Sequence, residues 1–437
     1  MSVKWGGVRP RTAYAGFAAF GAFWGVWGAS VPAIRAQAEL SDGELGTALL
    51  FIGAGALPAM PVTGRAVDRW GLRVAALLLV TLGAVGTLVA VAGRDFWSLS
   101  AGLALLGASS GAADVAINAA AGSAERASGR PVITRAHGTF SALVVVGSLS
   151  TGLLGALGAP VVVPFLLVTV ATTGAALSVV ADARVAPVAA GAVRGGERRR
   201  GPGRPKYAVS QVGERKGSGR AEVEVSRSGG GGVRLFPLLV VGALGALAFA
   251  VENAHQSWGA VYLADVADAG PALASAGPAV FAAVVALTRF AAGAFGSRYA
   301  TTVLVSGAVT AAAGTLLVSG AQSVPVVLLG LALAAAGTAV LFPTLMGVVA
   351  AQVGEATRGR ATSVVATVAY LGFLAGPVYV GRWAEATGLS GAMVAVAALA
   401  AALAGLSWPA LRSVVRTGSS WDPGDLHHAE KITGRTS

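Results

Sequence analysis

The chain has 437 residues, of which 55% are hydrophobic and only 12% are charged, and its mean hydropathy is +0.71. A water-soluble domain cannot cover its exterior with so few polar residues, so this composition excludes a soluble globular protein. Cysteine is absent, which excludes disulfides, thiolate metal sites and cysteine nucleophiles, and the net charge of +12 must be explained by its distribution.

Apolar runs long enough to cross a bilayer, which takes about 20 residues, recur along the whole chain. The first run follows a basic start, but bulky Trp24 and Trp27 stand where a cleaved signal peptide needs small residues, so we predict a retained span. Twelve spans are predicted, at 13–34, 45–63, 74–92, 96–120, 136–158, 160–181, 235–263, 273–295, 301–319, 324–350, 361–383 and 389–411. This pattern predicts an all-α membrane protein with twelve transmembrane helices.

The one long gap, 182–234, is rich in Gly, Arg and Ser and has no apolar periodicity, which is typical of a disordered linker. It contains 12 Lys and Arg against 5 Asp and Glu, so much of the net positive charge lies there. We predict a six-helix half at 1–181, the cytoplasmic linker at 182–234, a second six-helix half at 235–411 and a cytoplasmic tail at 412–437.

The positive residues lie on one side of the predicted bundle. If the N-terminus faces the cytoplasm, the inward gaps hold 28 of the 32 Lys and Arg, and the exceptions are Arg35, Arg94, Arg289 and Arg382. We therefore predict a protein of the cytoplasmic membrane. The positive-inside bias places both of its termini in the cytoplasm. It also accounts for the net charge without any nucleic-acid partner.

The inward gap after span 2 reads GRAVDRWGLR, at residues 64–73. It resembles the loop motif of the major facilitator superfamily, G-x-x-x-D-R-x-G-[RK]-[RK], at five positions: Gly64, Asp68, Arg69, Gly71 and Arg73. Leu72 departs from that motif. A weaker copy, with Gly293, Ser297 and Arg298, follows span 8 at an offset of 229 residues, as expected for two pseudo-symmetric halves.

The resemblance implies a conformational latch. In that family Asp68 would face the positive N-terminal end of a neighbouring helix, in span 11, only when the two halves are closed on the cytoplasmic side. The glycines would permit a tight turn and close helix approach. The alternative is a plain loop that only sets topology. Stretches 23–34, 114–141 and 252–263 further resemble a sugar-permease-like, fucose-permease-related branch.

Span 4 carries Asp114 and Asn118, four residues apart on one helix face near its predicted inner end, and His137 opens span 5. Intramembrane ionisable residues are costly and by default suggest function, here a proton relay or an inner gate. The alternative, which the family resemblance favours, is that Asp114 pairs with Arg69 or Arg73 of the loop motif.

Span 7 carries Glu252, His255 and Gln256 on one predicted polar face, with Asn253 beside it. No nearby loop charge explains these residues, so we predict a substrate and proton path in which Glu252 loads and releases a proton. Glu252 is predicted to lie in the outer part of the membrane. Arg289 in span 8 is expected either to meet an anionic substrate or to extend its charge to the interface.

Aromatic residues Phe17, Phe20, Trp24 and Trp27 form one stripe of span 1. Such stripes are usually packing or interface anchors, but Trp24 is the candidate for stacking on a sugar-like ring, with Trp258 as a supporting contact. In span 11, Gly372-x-x-x-Gly376-Pro377 is expected to permit close packing and a local kink. Span 5 lacks the glycine-proline motif of drug antiporters.

No nucleotide-binding loop, metal motif or nucleophile–base arrangement occurs in the sequence, so we predict no cofactor, no metal and no enzyme activity. The leading hypothesis is a monomeric secondary active transporter for a small polar solute, coupled to protons and working by alternating access. The alternatives are a proton-driven efflux carrier for a hydrophobic compound and a non-transporting membrane sensor.

Overall fold

The computed structural model describes residues 8–192, 235–292, 299–353 and 355–418. Within these ranges it contains thirteen helices: α1 Pro10–Gln37, α2 Asp42–Trp70, α3 Leu72–Ala92, α4 Phe96–Ser128, α5 Val132–Ala156, α6 Val162–Ala192, α7 Leu235–Asp265, α8 Pro271–Ala274, α9 Ala276–Ala292, α10 Ala300–Gly320, α11 Val324–Thr338, α12 Leu341–Gln352 and α13 Glu355–Gly418. Residues 193–234, which hold most of the predicted linker, the tail from 419 and the motif copy at Gly293, Ser297 and Arg298 lie outside the described residues.

These helices account for the predicted spans. Eleven stretches are long and apolar enough to cross a membrane; α8 with α9 forms one of them, and α11 with α12 forms another. The last stretch is in α13, whose 64 residues are far longer than a bilayer needs. Gly388, with a φ of 76°, interrupts the helical backbone of α13 and separates spans 11 and 12. The all-α membrane fold is therefore confirmed.

Local sequence explains where several helices begin and end. Ser41 and Glu44 form a reciprocal capping box at the start of α2. Asp95 caps α4, and hydrogen bonds from the Ser98 and Trp97 backbones and from the Ser98 hydroxyl hold the pKa of Asp95 below its usual range. Gly71, with a φ of 63°, makes the sharp break between α2 and α3.

Three helices run further than predicted. The motif 64–73 is not a loop, because α2 continues through it to Trp70 with Val67 buried, and Gly64 lies inside the helix. Helix α4 extends to Ser128, so Asp114 lies well inside it rather than near its end. Helix α6 extends to Ala192, so the first residues assigned to the linker are helical.

The helices form two groups, α1–α6 and α7–α13, that meet along α2 with α13 and α5 with α9. We call the end of the bundle at Gly71 the motif end, and the opposite end, at Arg35 and Asp42, the far end. At the far-end half of the contact, α2 and α13 touch backbone to backbone, since a Cβ on Gly46 would lie 2.6 Å from the Pro377 carbonyl oxygen.

Candidate functional site

A cavity of about 440 Å³ lies between the two groups of helices. Its walls come from α1, α2 and α5 on one side and from α7, α9 and α13 on the other. A cavity enclosed by both halves is the place where a relative motion of the halves changes access to a bound molecule. Among the described residues that were candidates from the sequence, it is lined by Trp24, His137, Glu252, Asn253, Gln256 and Arg289.

The charged centre of the cavity is an ion pair between α7 and α9. Arg289 Nη2 donates to both carboxylate oxygens of Glu252, at 3.1 Å and 3.4 Å. Both residues lie thirteen positions from the far-end terminus of their helix, Asp265 and Ala276 respectively, which is about 20 Å of helix and explains why they meet at one depth. Glu252 therefore has a charged partner on another helix, which its own span does not predict.

A proline explains how Arg289 is held. Its Nε donates to the Ala339 carbonyl at 3.2 Å. In an uninterrupted helix that carbonyl would accept from residue 343, but Pro343 has no N–H, and the helix breaks there into α11 and α12. The guanidinium thus satisfies a carbonyl that the sequence leaves without its helical donor.

The same logic positions Asn253. Its side-chain amide donates to the Phe373 carbonyl, whose helical donor would be the missing N–H of Pro377 in α13. The Asn253 oxygen in turn accepts from the Ser257 hydroxyl at 3.1 Å. One turn along, Gln256 Nε2 donates to Glu252 Oε1 at 3.1 Å. Residues 252, 253, 256 and 257 therefore form the face of α7 that lines the cavity.

His255 does not belong to that face, contrary to the prediction. It is 1% exposed, its Nδ1 lies 2.7 Å from the Val251 carbonyl, and its Nε2 lies 3.0 Å from the Thr315 hydroxyl of α10. At a step of about 100° per residue, position 255 turns away from the direction shared by 252 and 256. Trp258 is likewise fully buried rather than beside the cavity.

Aromatic side chains form much of the remaining wall. Trp24 and Trp27 from α1 line the cavity, together with Phe140 from α5 and Phe281 from α9. Phe17, from the same predicted stripe, instead packs edge-on against His137 with ring centroids 4.9 Å apart. The stripe of span 1 therefore serves packing and lines the cavity at the same time.

Asp114 lies outside the residues that line this cavity. Asn118 donates to the Asp114 carboxylate at 2.9 Å, as the four-residue spacing predicts. The Tyr370 hydroxyl of α13 interacts electrostatically with the same carboxylate. The suggested pairing of Asp114 with Arg69 or Arg73 is not present among the described ion pairs of this conformation. Arg69 instead stacks over the ring of its neighbour Trp70 at 5.4 Å.

The far end is closed by charges from both halves. Arg35, at the end of α1, pairs with Asp42 of α2 at 2.8 Å and with Asp265 at the end of α7. Glu385 of α13 lies against α2, since a Cβ on Gly43 would fall 2.0 Å from its carboxylate. The halves therefore touch closely at this end.

Near the motif end, the close packing of α2 against the second half is not continued at Gly64. A Cβ on Gly53 would clash with Leu374 of α13, whereas one on Gly64, three turns further along, would meet nothing within 4 Å. Asp68 is exposed, and the described ion pairs do not include it. The close approach expected at Gly64 is therefore absent in this state.

The chain resembles known transporters over most of its length. The family model described as Major Facilitator Superfamily matches residues 12–377 and 241–424. An "Uncharacterized transporter y4wD" of Sinorhizobium fredii is 29% identical over 404 residues, covering 89% of this chain and 97% of that protein. An "Uncharacterized MFS-type transporter" of Yersinia pestis is 28% identical, covering 84% of this chain and 87% of that protein.

A solved structure shares the fold. It is a bacterial homologue of the human lysosomal transporter Spinster, in an inward-facing and occupied conformation. It superposes with a TM-score of 0.64 at 16% sequence identity, covering 95% of this chain and 98% of its own. The family match over most of the sequence and the shared fold agree, and the chain therefore belongs to the major facilitator superfamily.

Proposed function

We propose that this secondary transporter moves a small polar solute through the cavity between its halves, coupled to the loading and release of a proton on Glu252. The Glu252–Arg289 ion pair carries this proposal, because it is a titratable carboxylate placed in a cavity that both halves enclose. Membership of the superfamily gives the coarser function, a membrane transporter and not an enzyme. The polar solute and the coupling to protons are what we propose beyond this family membership.

Alternating access is supported by the contrast between the two ends. Arg35 and Asp265 join the halves at the far end, whereas Gly64, near the motif end of α2, has no close neighbour from the second half. With the motif end in the cytoplasm, as the distribution of Lys and Arg predicts, this conformation is open to the inside. The latch at Asp68 would then form only in the opposite state.

The polar face of α7 supports a polar, sugar-like solute. Gln256 and Ser257 offer an amide and a hydroxyl to the cavity, and the Trp24 ring offers an apolar surface for the carbon face of such a molecule. The second candidate, efflux of a hydrophobic compound, is favoured by the aromatic wall that Phe140, Phe281 and Phe373 contribute.

The test is Glu252→Gln in purified protein reconstituted into vesicles. A panel of sugars and sugar acids is first screened by thermal stabilisation, because a ligand that binds the native state raises its apparent stability. The variant keeps the shape of Glu252 and one oxygen that can accept from Gln256 and Arg289, but it cannot titrate. We expect it to lose uphill uptake driven by a pH gradient and to retain exchange of the stabilising solute down its gradient.

Glu39→Gln is the matched control, because Glu39 is an exposed carboxylate at the far end, remote from the cavity lining. It should accumulate the solute like the parent. Uphill uptake by Glu252→Gln with an unchanged pH dependence would place the coupling residue elsewhere, with Asp114 the next candidate.

A further inference from the structure

Building on the proposed function, we infer that the transported solute is a monoanion, of the hydroxylated-carboxylate class, and that its anionic group and the proton on Glu252 share Arg289. The solute and the proton therefore cross together. The inference rests on the charge that faces the cavity, the free N–H donors of Arg289, the charge balance of the Glu252–Arg289 pair and the groups that surround this pair.

The charge presented to the cavity is the positive one. The Arg289 side chain is 44% exposed, whereas the Glu252 side chain is only 11% exposed. Gln256 and Arg289 together occupy both carboxylate oxygens. A solute entering the cavity therefore meets the guanidinium first, with the carboxylate behind it.

The guanidinium also has donors to spare. Arginine carries five N–H donors in a planar fork that fits a carboxylate. Nε is used by the Ala339 carbonyl and Nη2 by Glu252, while Nη1 has no acceptor among the described residues. The exposed edge of Arg289 can thus donate hydrogen bonds to a solute carboxylate while Nε keeps the side chain fixed to the break between α11 and α12.

Charge balance then couples the two ligands. With Glu252 ionised, the pair is neutral, and adding an anion alone would place two negative charges on one guanidinium. When Glu252 takes one proton from water, Arg289 loses its counter-charge and an anionic solute restores it. Each ligand therefore favours binding of the other, and the pair with both bound is again neutral.

The other groups around the pair do not supply an alternative counter-charge. His137 faces Arg289 from α5. His255 lies on the buried side of α7, away from the cavity, and is hydrogen-bonded to Thr315. The cavity residues from α1, α2 and α13 carry no ionisable side chain. Among the described residues that line the cavity, Glu252 is the carboxylate and Arg289 the permanent cation.

The class of solute follows from the remaining wall. Gln256 and Ser257 lie beside the ion pair, and Ser141 lies across from them on α5, so hydroxyl groups on the solute have partners. The ring of Trp24 covers the less polar side. A small hydroxylated carboxylate satisfies both the guanidinium and these neutral groups.

The experiment compares anionic and neutral probes of the same size on the purified full chain. The pairs are D-gluconate with D-glucose and benzoate with benzyl alcohol, and binding is measured by thermal stabilisation at pH 6 and pH 8. We expect the parent to bind an acid in preference to its neutral partner, and more tightly at pH 6. Glu252→Gln, which mimics the protonated state, should bind that acid at least about fivefold more tightly than the parent at pH 8, with no pH dependence.

Three variants separate the inference from a structural effect. Arg289→Gln should abolish the preference for the acid, whereas Arg94→Gln, an exposed arginine outside the cavity, should preserve it. His137→Gln should keep the pH dependence of acid binding. The inference is overturned if no acid stabilises the parent, if the pH dependence disappears with His137, or if Glu252→Gln binds the acid no better. Proton-driven uptake of a neutral sugar would overturn the monoanion while leaving the proposed function standing.

Discussion

Removing the charge of Asp265 should shift the protein toward the state that is open at the far end. Asp265 and Arg35 join the two halves there, whereas Arg35 and Asp42 belong to the same half. After Asp265→Asn, Arg35 keeps Asp42 at 2.8 Å, so no unpaired charge is left behind. The Asp265 side chain is 43% exposed, so the lost pair is worth about 1 kcal/mol, which shifts the equilibrium between the two states about fivefold.

Cysteine labelling measures this shift without background, because the chain has no cysteine. Ala282→Cys places one thiol in the cavity wall, and an impermeant maleimide is added from each side of oriented vesicles. Labelling from the far end should rise about fivefold in the Asp265→Asn variant. Arg94→Gln is the control, since Arg94 is exposed at the far end and its Nε donates to the Val91 carbonyl of its own half. Equal far-end labelling in Asp265→Asn and the parent would refute the closure of this end by the ion pair.

Asp68→Asn should lower far-end labelling, the reverse of Asp265→Asn, because the latch acts only when the motif end is closed; unchanged labelling would make Asp68 a topology residue. Asp182→Asn should lower the free energy of unfolding by about 1 kcal/mol, seen as a lower thermal midpoint, because the amide can still accept from the Thr12 hydroxyl but lacks the charge that faces Arg9 at 3.8 Å and Arg11 at 3.6 Å; a midpoint equal to the parent's would count against that role. Gly372→Ala should cost about 1–3 kcal/mol, because its Cβ would lie 1.8 Å from a carbonyl oxygen of α7, whereas Gly405→Ala meets nothing within 4 Å and should be neutral; equal thermal midpoints would contradict the close packing.

The sequence predicted the membrane fold well because hydropathy is read locally. Each span is an apolar run, and the break at Gly71 follows from a residue type that tolerates positive φ. Helix ends were less predictable. The charges at 64–73 predict a loop, but Val67 packs into the core and α2 continues through this stretch to Trp70.

The candidate site was predicted only in part, because its geometry depends on how helices are placed against each other. Glu252 and Arg289 are 37 residues apart, and nothing in either span indicates that they meet. Two prolines in the sequence also indicate where polar contacts between helices form. Pro343 and Pro377 each leave the carbonyl four residues earlier without its helical donor, and a polar side chain from another helix satisfies each one.

The arginines that do not follow the positive-inside bias are a second feature of the sequence that indicates contacts between helices. Arg35, Arg289 and Arg382 each have an acidic partner, in a different helix for the first two. An arginine that violates the positive-inside pattern is costly unless it is paired or exposed. The position of such an arginine in the sequence therefore makes it a good candidate for a gate or an ion-pair site.

The most direct test of the central claim is whether solute movement carries protons through Glu252. Vesicles containing the purified protein and a trapped pH-sensitive dye receive the solute found by thermal stabilisation, with no imposed pH gradient. The parent and Glu39→Gln should acidify the vesicle interior as the solute enters, and Glu252→Gln should take up solute without any pH change. Acidification by Glu252→Gln at the parental rate would contradict the account.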